Sequence, residues 1–471
     1  MYRMTRRAVL AGGIASGVAV AAGGALWWSR ARKPPLGMDI PEEFLQRGAA
    51  LLAANACVDV HSHAGRSFLV GAEHDSLIIR MMRDGFEADR VEDMREAQVT
   101  ASLFAVVADL PLLGLADGGL QVVRDFEPGE AYGDFKRQLD RLLLTVESGV
   151  ISLALSPGDV RAARAARRPV MILACEGADF LEDRLERIAE AYAAGMRSIT
   201  LIHYNTNQVG DNQTNRPVHD GLTAFGRDVV REMNRIGMII DVAHASVETC
   251  SDVLAESGTP VVLSHSNLDT GPVNSPRFIS AEHARMIAET GGVIGAWPAG
   301  IGSETLADFV EQILALVDVV GPTHVAVGSD MDGNYKPVLT DYADFPLVAA
   351  ALLFRGVSEA DVVNILGANF LRLFDAVTET SQGSSVGAHA KRKRGELDPG
   401  IGSRTAAASA TRVGEPTCTA RLLQVPAQIS WSMPRTVALE GRCEYHRLIR
   451  VSECQNEKCA PLPKPDRSGS S

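Results

Sequence analysis

Between Ala56 and Ala376 short apolar runs alternate with amphipathic stretches. The apolar runs are Cys57–His61, Ala101–Ala108, Val170–Cys175, Ser198–His203, Gly237–Val242, Val261–Ser264, Gly292–Trp297 and Val325–Gly328. Their length and β-branched content read as buried strands. Between them Phe180–Ala194, Gly221–Arg235, Val247–Ser257, Ala281–Glu289 and Leu306–Val319 carry helical periodicity. Strand alternating with helix predicts parallel βα units. Eight such units are the number that closes a (β/α)8 TIM barrel. An open doubly wound sheet also alternates, but no Gly-x-Gly-x-x-Gly turn follows the first run, so a dinucleotide fold lacks support.

The pattern divides the chain into three parts. Residues 1–35 read as a targeting segment: Arg6 and Arg7 precede a weakly apolar run, Ala8–Trp28, as in a twin-arginine export signal. The run is also about long enough to span a bilayer, so a cleaved signal and a retained anchor both stay open, and the expected location is periplasmic or membrane-anchored. Residues 36–380 form the barrel. Residues 381–471 lose apolar periodicity and read as a low-order, disordered tail.

Charge sharpens this division. The formal net charge is -12. From Ser381 onward there are 14 Lys and Arg against 8 Asp and Glu, leaving 32 basic and 50 acidic residues in the remainder. An acidic body argues against nucleic acid as a partner. Seven cysteines without a Cys-x-x-Cys pair argue against a zinc ribbon.

The candidate chemistry sits where the apolar runs end. His61 and His63 are two apart, and positions i and i+2 share one face of a strand. Glu176, His203, His244, His265 and Asp330 stand at or just past the ends of later runs. In a barrel these ends converge on one face, where active sites lie. His61, His63, His244 and His265 supply nitrogen ligands suited to Zn2+. Glu176 could bridge two ions, since paired metals lie about 3.5–4 Å apart. A hydroxide held between such ions is a nucleophile at neutral pH, and Asp330 could take its proton and pass it on. Asp332 is nearby, but Asp330 lies closer to the strand end.

The stretches Cys175-Glu176-Gly177, Leu201-Ile202-His203-Tyr204-Asn205, Gly221-Leu222-Thr223-Ala224-Phe225-Gly226, Ile240-Asp241-Val242-Ala243-His244-Ala245-Ser246, Ser264-His265-Ser266-Asn267, Gly328-Ser329-Asp330 and Gly367-Ala368-Asn369-Phe370 resemble the membrane (renal) dipeptidase family. Those proteins are zinc peptidases of the metal-dependent hydrolase barrel class, and the resemblance covers roughly Pro41 to Phe374. It implies one zinc held by His61, His63 and Glu176, and a second held by Glu176, His244 and His265. It further implies that His203 stabilises the tetrahedral intermediate, that Arg277 grips the substrate's terminal carboxylate, and that Asp330 handles protons. The family usually has aspartate where this chain has His63, which makes the site one charge more positive. The expected activity is hydrolysis of dipeptides by a metal-bridged hydroxide, with a small peptide as partner and a homodimer left open. The alternatives are a related amidohydrolase acting on another amide or lactone, and a non-catalytic barrel that binds a ligand.

Overall fold

The computed structural model describes residues 33–72, 85–116, 119–271, 273 and 275–380. The export segment and the basic tail expected from the sequence lie outside them. Among the described residues no helix is long and apolar enough to cross a membrane.

All eight apolar runs become strands. In chain order the strands are β1 (Val58–Ser62), β2 (Ala101–Val107), β3 (Leu113–Ala116), β4 (Gly119–Val122), β5 (Ser152–Leu153), β6 (Val170–Glu176), β7 (Met196–Thr200), β8 (Ile239–Asp241), β9 (Val262–Ser266), β10 (Val293–Ala296) and β11 (Val325–Val327). The main sheet runs β1-β2-β6-β7-β8-β9-β10-β11, every neighbouring pair parallel. The ring closes just past β11. Ser62 bridges Met331, Asp330 N donates to His61 O at 2.8 Å, and His63 N donates to Met331 O at 2.8 Å. This is the expected (β/α)8 barrel, with β5 added beside β6.

The helices form where local chemistry permits. Thr223, Ser246, Ser280 and Thr305 each accept a hydrogen bond from the backbone N–H three residues on, satisfying one of the donors that a helix start leaves open. The stretch 180–194 is an exception to its periodicity. Its helix spans only Glu186–Ala193, after a short 3-10 turn at Asp179–Leu181. Glu182 and Asp183 take left-handed backbone angles, φ 43 and 59°. That geometry ends a right-handed helix, and Arg187 fastens the break by donating to Phe180 O, Leu181 O and the Glu182 carboxylate.

β3 and β4 are among the elements that the sequence pattern did not name. β3 and β4 pair antiparallel as a hairpin. The Asp117-Gly118-Gly119 turn residues between two short apolar runs were the available signal. The closing helix, which the resemblance at Gly367-Ala368-Asn369-Phe370 implies, spans 369–380 and is entered through a π turn at Asn364–Ala368. It packs Phe370, Leu373, Phe374 and Val377 against Val58, Val60, Leu103, Ile172, Val262 and Val293. A side chain at Gly367 would strike Ala56 O, so the chain can approach β1 here only without one. The apolar plug stoppers one end of the barrel and leaves the other end for polar groups.

Candidate metal centre

The open end is built from every strand of the ring. β1 ends in His61, with His63 just beyond it. Asp109 follows β2, Glu176 ends β6 and His203 follows β7. His244 follows β8, His265 lies in β9, Trp297 follows β10 and Asp330 follows β11. Each of these side chains is buried. A parallel sheet brings all its strand C-termini to one side, so residues far apart in the chain meet there.

Glu176 is the centre of the arrangement. Its Oε1 lies 3.5 Å from His61 Nε2, 3.1 Å from His244 Nε2 and 3.5 Å from His265 Nε2. Its Oε2 lies 3.2 Å from His63 Nε2 and 3.3 Å from His203 Nε2. The terminal torsion of a glutamate is broad, so a rotation of the carboxylate redistributes these partners. His61 and His63 do converge, as their spacing predicts. They do so although the β1–β2 register shifts between Asp59 and Ser62, and their rings stand edge to face with centroids 5.1 Å apart.

Four of the five rings are tethered through Nδ1, which leaves Nε2 to face the carboxylate. His63 Nδ1 lies 3.0 Å from Ala105 O. His203 Nδ1 lies 2.6 Å from Asp109 Oδ1. His265 and His61 both use Ser264 Oγ, at 3.0 and 3.4 Å. This is the arrangement expected of metal-binding imidazoles, whose outer nitrogen is fixed by a second partner.

The electrostatics fit a cation at the same place. Burial drives the His61 imidazole down to about 3, and it also lowers His244 and His265, so these rings present neutral lone pairs. Burial disfavours a charged Glu176 carboxyl, but the surrounding imidazoles outweigh it and hold the group well below the usual carboxylate range. His61 Nε2 is buried with no hydrogen-bond partner. His244 Nε2 and His265 Nε2 face one another at 3.0 Å. An orphaned buried nitrogen and two opposed lone pairs are costly unless something positive lies between them. Three candidate metal-binding groups follow among the described residues: His61, His63 and Asp330; His61, Glu176 and His265; and Glu176, His203 and His244.

The remaining predicted residues join the same cavity wall. Asp330 is raised to about 7, by burial and by the Glu176 charge. Its Oδ1 is 3.5 Å from His63 Nε2, and its Oδ2 accepts from Trp297 Nε1 at 3.1 Å. His203 is raised to about 9: burial opposes its charged form, but the Asp109 and Glu176 charges win. Arg277 lies with its guanidinium 5.2 Å from the Trp297 ring centroid and donates to Gln213 Oε1 at 2.6 Å. Asp332 is occupied elsewhere. It pairs with Arg90 through both carboxylate oxygens and accepts from Gly65 N, so of the two aspartates Asp330 is the one at the site. Asp330 and His244 hold left-handed backbone angles, φ 51 and 65°. Such strain in non-glycine residues clusters at functional sites.

Asp109, Trp297, Gln213 and Ser264 escaped the sequence reading. Asp109 stands immediately after one predicted run and Trp297 ends another, so the same strand-end rule could have found them. Ser264 ends a third run, and Gln213 carries no pattern signal.

Fold and site together define a parallel (β/α)8 barrel with candidate metal-binding histidine–carboxylate groups at its mouth. The family model for membrane dipeptidases, peptidase family M19, matches residues 48–386, and the chain belongs to that family. A dipeptidase of Clonostachys rogersoniana, verJ, is 34% identical over 257 residues, 52% of this chain and 65% of its own length. A Claviceps purpurea dipeptidase, tcpJ, is 31% identical over 53% of this chain and 61% of its length. The matched stretch thus spans less than two thirds of these curated relatives. Among solved structures, a Rhodobacter sphaeroides metallopeptidase liganded with a phosphinate mimic of L-Ala-D-Ala superposes with a TM-score of 0.56. It is 20% identical, with 69% of this chain and 99% of that one covered. At that identity the likeness concerns the fold.

Proposed function

We propose that this chain is a zinc-dependent dipeptidase. The observation that carries the reading is the convergence of five imidazole Nε2 atoms within 3.1–3.5 Å of the single buried carboxylate of Glu176. Membership of the membrane dipeptidase family and the dipeptidase relatives support it. The donor set would hold two zinc ions, one by His61, His63 and Glu176 and the other by Glu176, His244 and His265. When bound, such ions acidify water and polarise a carbonyl.

The protein's own groups supply the rest. Arg277, steadied by Gln213 and the Trp297 face, offers its remaining N–H donors to the substrate's terminal carboxylate; guanidinium and carboxylate match through two parallel hydrogen bonds. His203, held by Asp109 with Nε2 turned toward Glu176, donates to the oxygen that becomes negative as the peptide carbonyl turns tetrahedral. Asp330 is poised near neutrality to accept a proton and return it to the leaving amine.

The test is metal content together with a substrate panel. Zinc-loaded protein should contain about two ions per chain and hydrolyse dipeptides. Turnover of other amides or lactones without dipeptide hydrolysis would move the assignment to a related amidohydrolase. Tight dipeptide binding without turnover would make the barrel a binding protein. The same reading includes export or membrane attachment through residues 1–35 and leaves a homodimer open. Arg6→Lys with Arg7→Lys should leave the protein in the cytoplasm, and sedimentation at one or at two chain masses decides the oligomeric state.

A further inference from the structure

Ser264 lies fully buried in β9, one residue before His265, and its hydroxyl touches two rings from two strands. His265 Nδ1 is 3.0 Å from Oγ and His61 Nδ1 is 3.4 Å away. Asp241 is fixed beside it, accepting from Thr200 Oγ1 at 2.6 Å, Ala243 N at 2.9 Å and the Ser264 backbone N at 3.0 Å. A hydroxyl carries one proton and two lone pairs, so the one oxygen can serve both rings.

We propose that Ser264 is a shared positioning residue: its one hydroxyl hydrogen-bonds to Nδ1 of both His61 and His265 and so turns both Nε2 atoms toward Glu176. The two rings pack with centroids 4.1 Å apart at 31°, so neither can rotate away without displacing the other. Ser264 and the two imidazoles therefore form one branched contact, in which a single side chain fixes two ligands. The inference rests on the zinc reading for its consequence: the two rings serve different ions there, so losing one hydroxyl weakens both.

Two measurements test it. The first is zinc titration of the metal-stripped full chain against a chromophoric chelator, with Ser264→Ala made in the parent, in His61→Ala and in His265→Ala. Outer-partner loss typically costs about 10–100-fold in metal affinity, and a weakening of that order should persist in both single-histidine backgrounds. An effect that vanishes in either background means the hydroxyl serves only one ring and overturns the proposal, as does unchanged affinity. The second is the imidazole 15N spectrum of the metal-stripped protein. Ser264→Ala should shift the Nδ1 resonances of both His61 and His265. A change confined to one ring, or to neither, overturns the proposal. If Ser264→Ala fails to fold, Ser264→Cys keeps the volume and weakens acceptance, and should give the same changes in smaller measure. A parent that binds no zinc sinks the metal reading alone, because the imidazole spectrum still decides the role of Ser264.

Discussion

The two ends of the barrel are made by the same strands under opposite physical rules. At one end Val58, Val60, Leu103, Ile172, Val262 and Val293 meet Phe370 and Phe374 in a dry cluster. Burial there is favourable in itself, worth roughly 1.5–3 kcal/mol for each large side chain, and needs no particular partner. At the other end eight strand termini bury imidazoles, carboxylates and an indole. Each such group loses water and must be repaid by a named neighbour. His63 has Ala105 O, His203 has Asp109, and His61 and His265 share Ser264. Backbone strain follows the same division: His244 and Asp330 are left-handed, and no member of the dry cluster is. The apolar end supplies stability that the polar end consumes, which is how a barrel can hold several buried ionisable groups around one carboxylate.

The largest effect should come from removing the pivot of the polar end. Glu176→Gln keeps the shape and deletes the charge that five imidazoles face. Zinc content should fall from about two per chain to below one. Dipeptide turnover should drop by more than about 10³-fold, since even one lost oxyanion donor can cost 10²–10³. Elemental analysis and steady-state rates read this directly, and parent-like metal content would break the comparison at its centre.

Phe374→Ala attacks the other end. It should cost about 3–5 kcal/mol of stability by opening a cavity, measured by denaturant unfolding. Zinc affinity and turnover per folded molecule should remain within about twofold, as expected for mutations far enough apart to act independently. A matching loss of metal affinity would show that the ends are coupled.

A smaller change separates ligands from neighbours within the polar end. His63→Ala should weaken zinc by at least the roughly 10–100-fold of an outer-partner loss. His63→Asp should retain it, because carboxylate oxygen also binds zinc. The added negative charge should make bound water less acidic and move the acidic limb of the pH–rate profile upward. Equal zinc affinity in parent, His63→Ala and His63→Asp would remove His63 from the ligand set.

The smallest effect concerns Asp179, which accepts from Asn205 and Asn207 beside the site. Burial, and then the Asp109 charge, raise this carboxyl to about 7. Below its ordinary value of 3.8 both folded and unfolded chains are protonated. Between there and about 7 the unfolded chain has lost its proton and the folded one keeps it, so stability falls as pH rises through that window. Asp179→Asn should flatten the decline measured by urea unfolding. An unchanged slope would assign it to other groups.

Much of this was readable along the chain because two regularities are local. Strand–helix alternation follows from which side chains must be buried, and the barrel's strands all appeared where apolar runs stood. Parallel strands send their C-termini to one side, so a ligand-type residue after each run marks the site without any knowledge of contacts. That rule placed His61, His63, Glu176, His203, His244, His265 and Asp330. It missed Asp109, because an aspartate before Leu110-Pro111 also reads as a turn, and Trp297, because an indole is no metal ligand. What tertiary structure alone decided is which groups satisfy which. Asp109 meets a histidine 94 residues away, and Ser264 meets His61 across 203. Arg90 claims Asp332 across 242 residues and so leaves Asp330 to the site. Hydrogen bonds act over about 3 Å, and no pattern along a chain carries distances of that kind. The alternation of apolar and polar residues therefore determined the frame and the side on which chemistry gathers. The closure of the ring determined the partners that hold each ring nitrogen and each carboxylate in place.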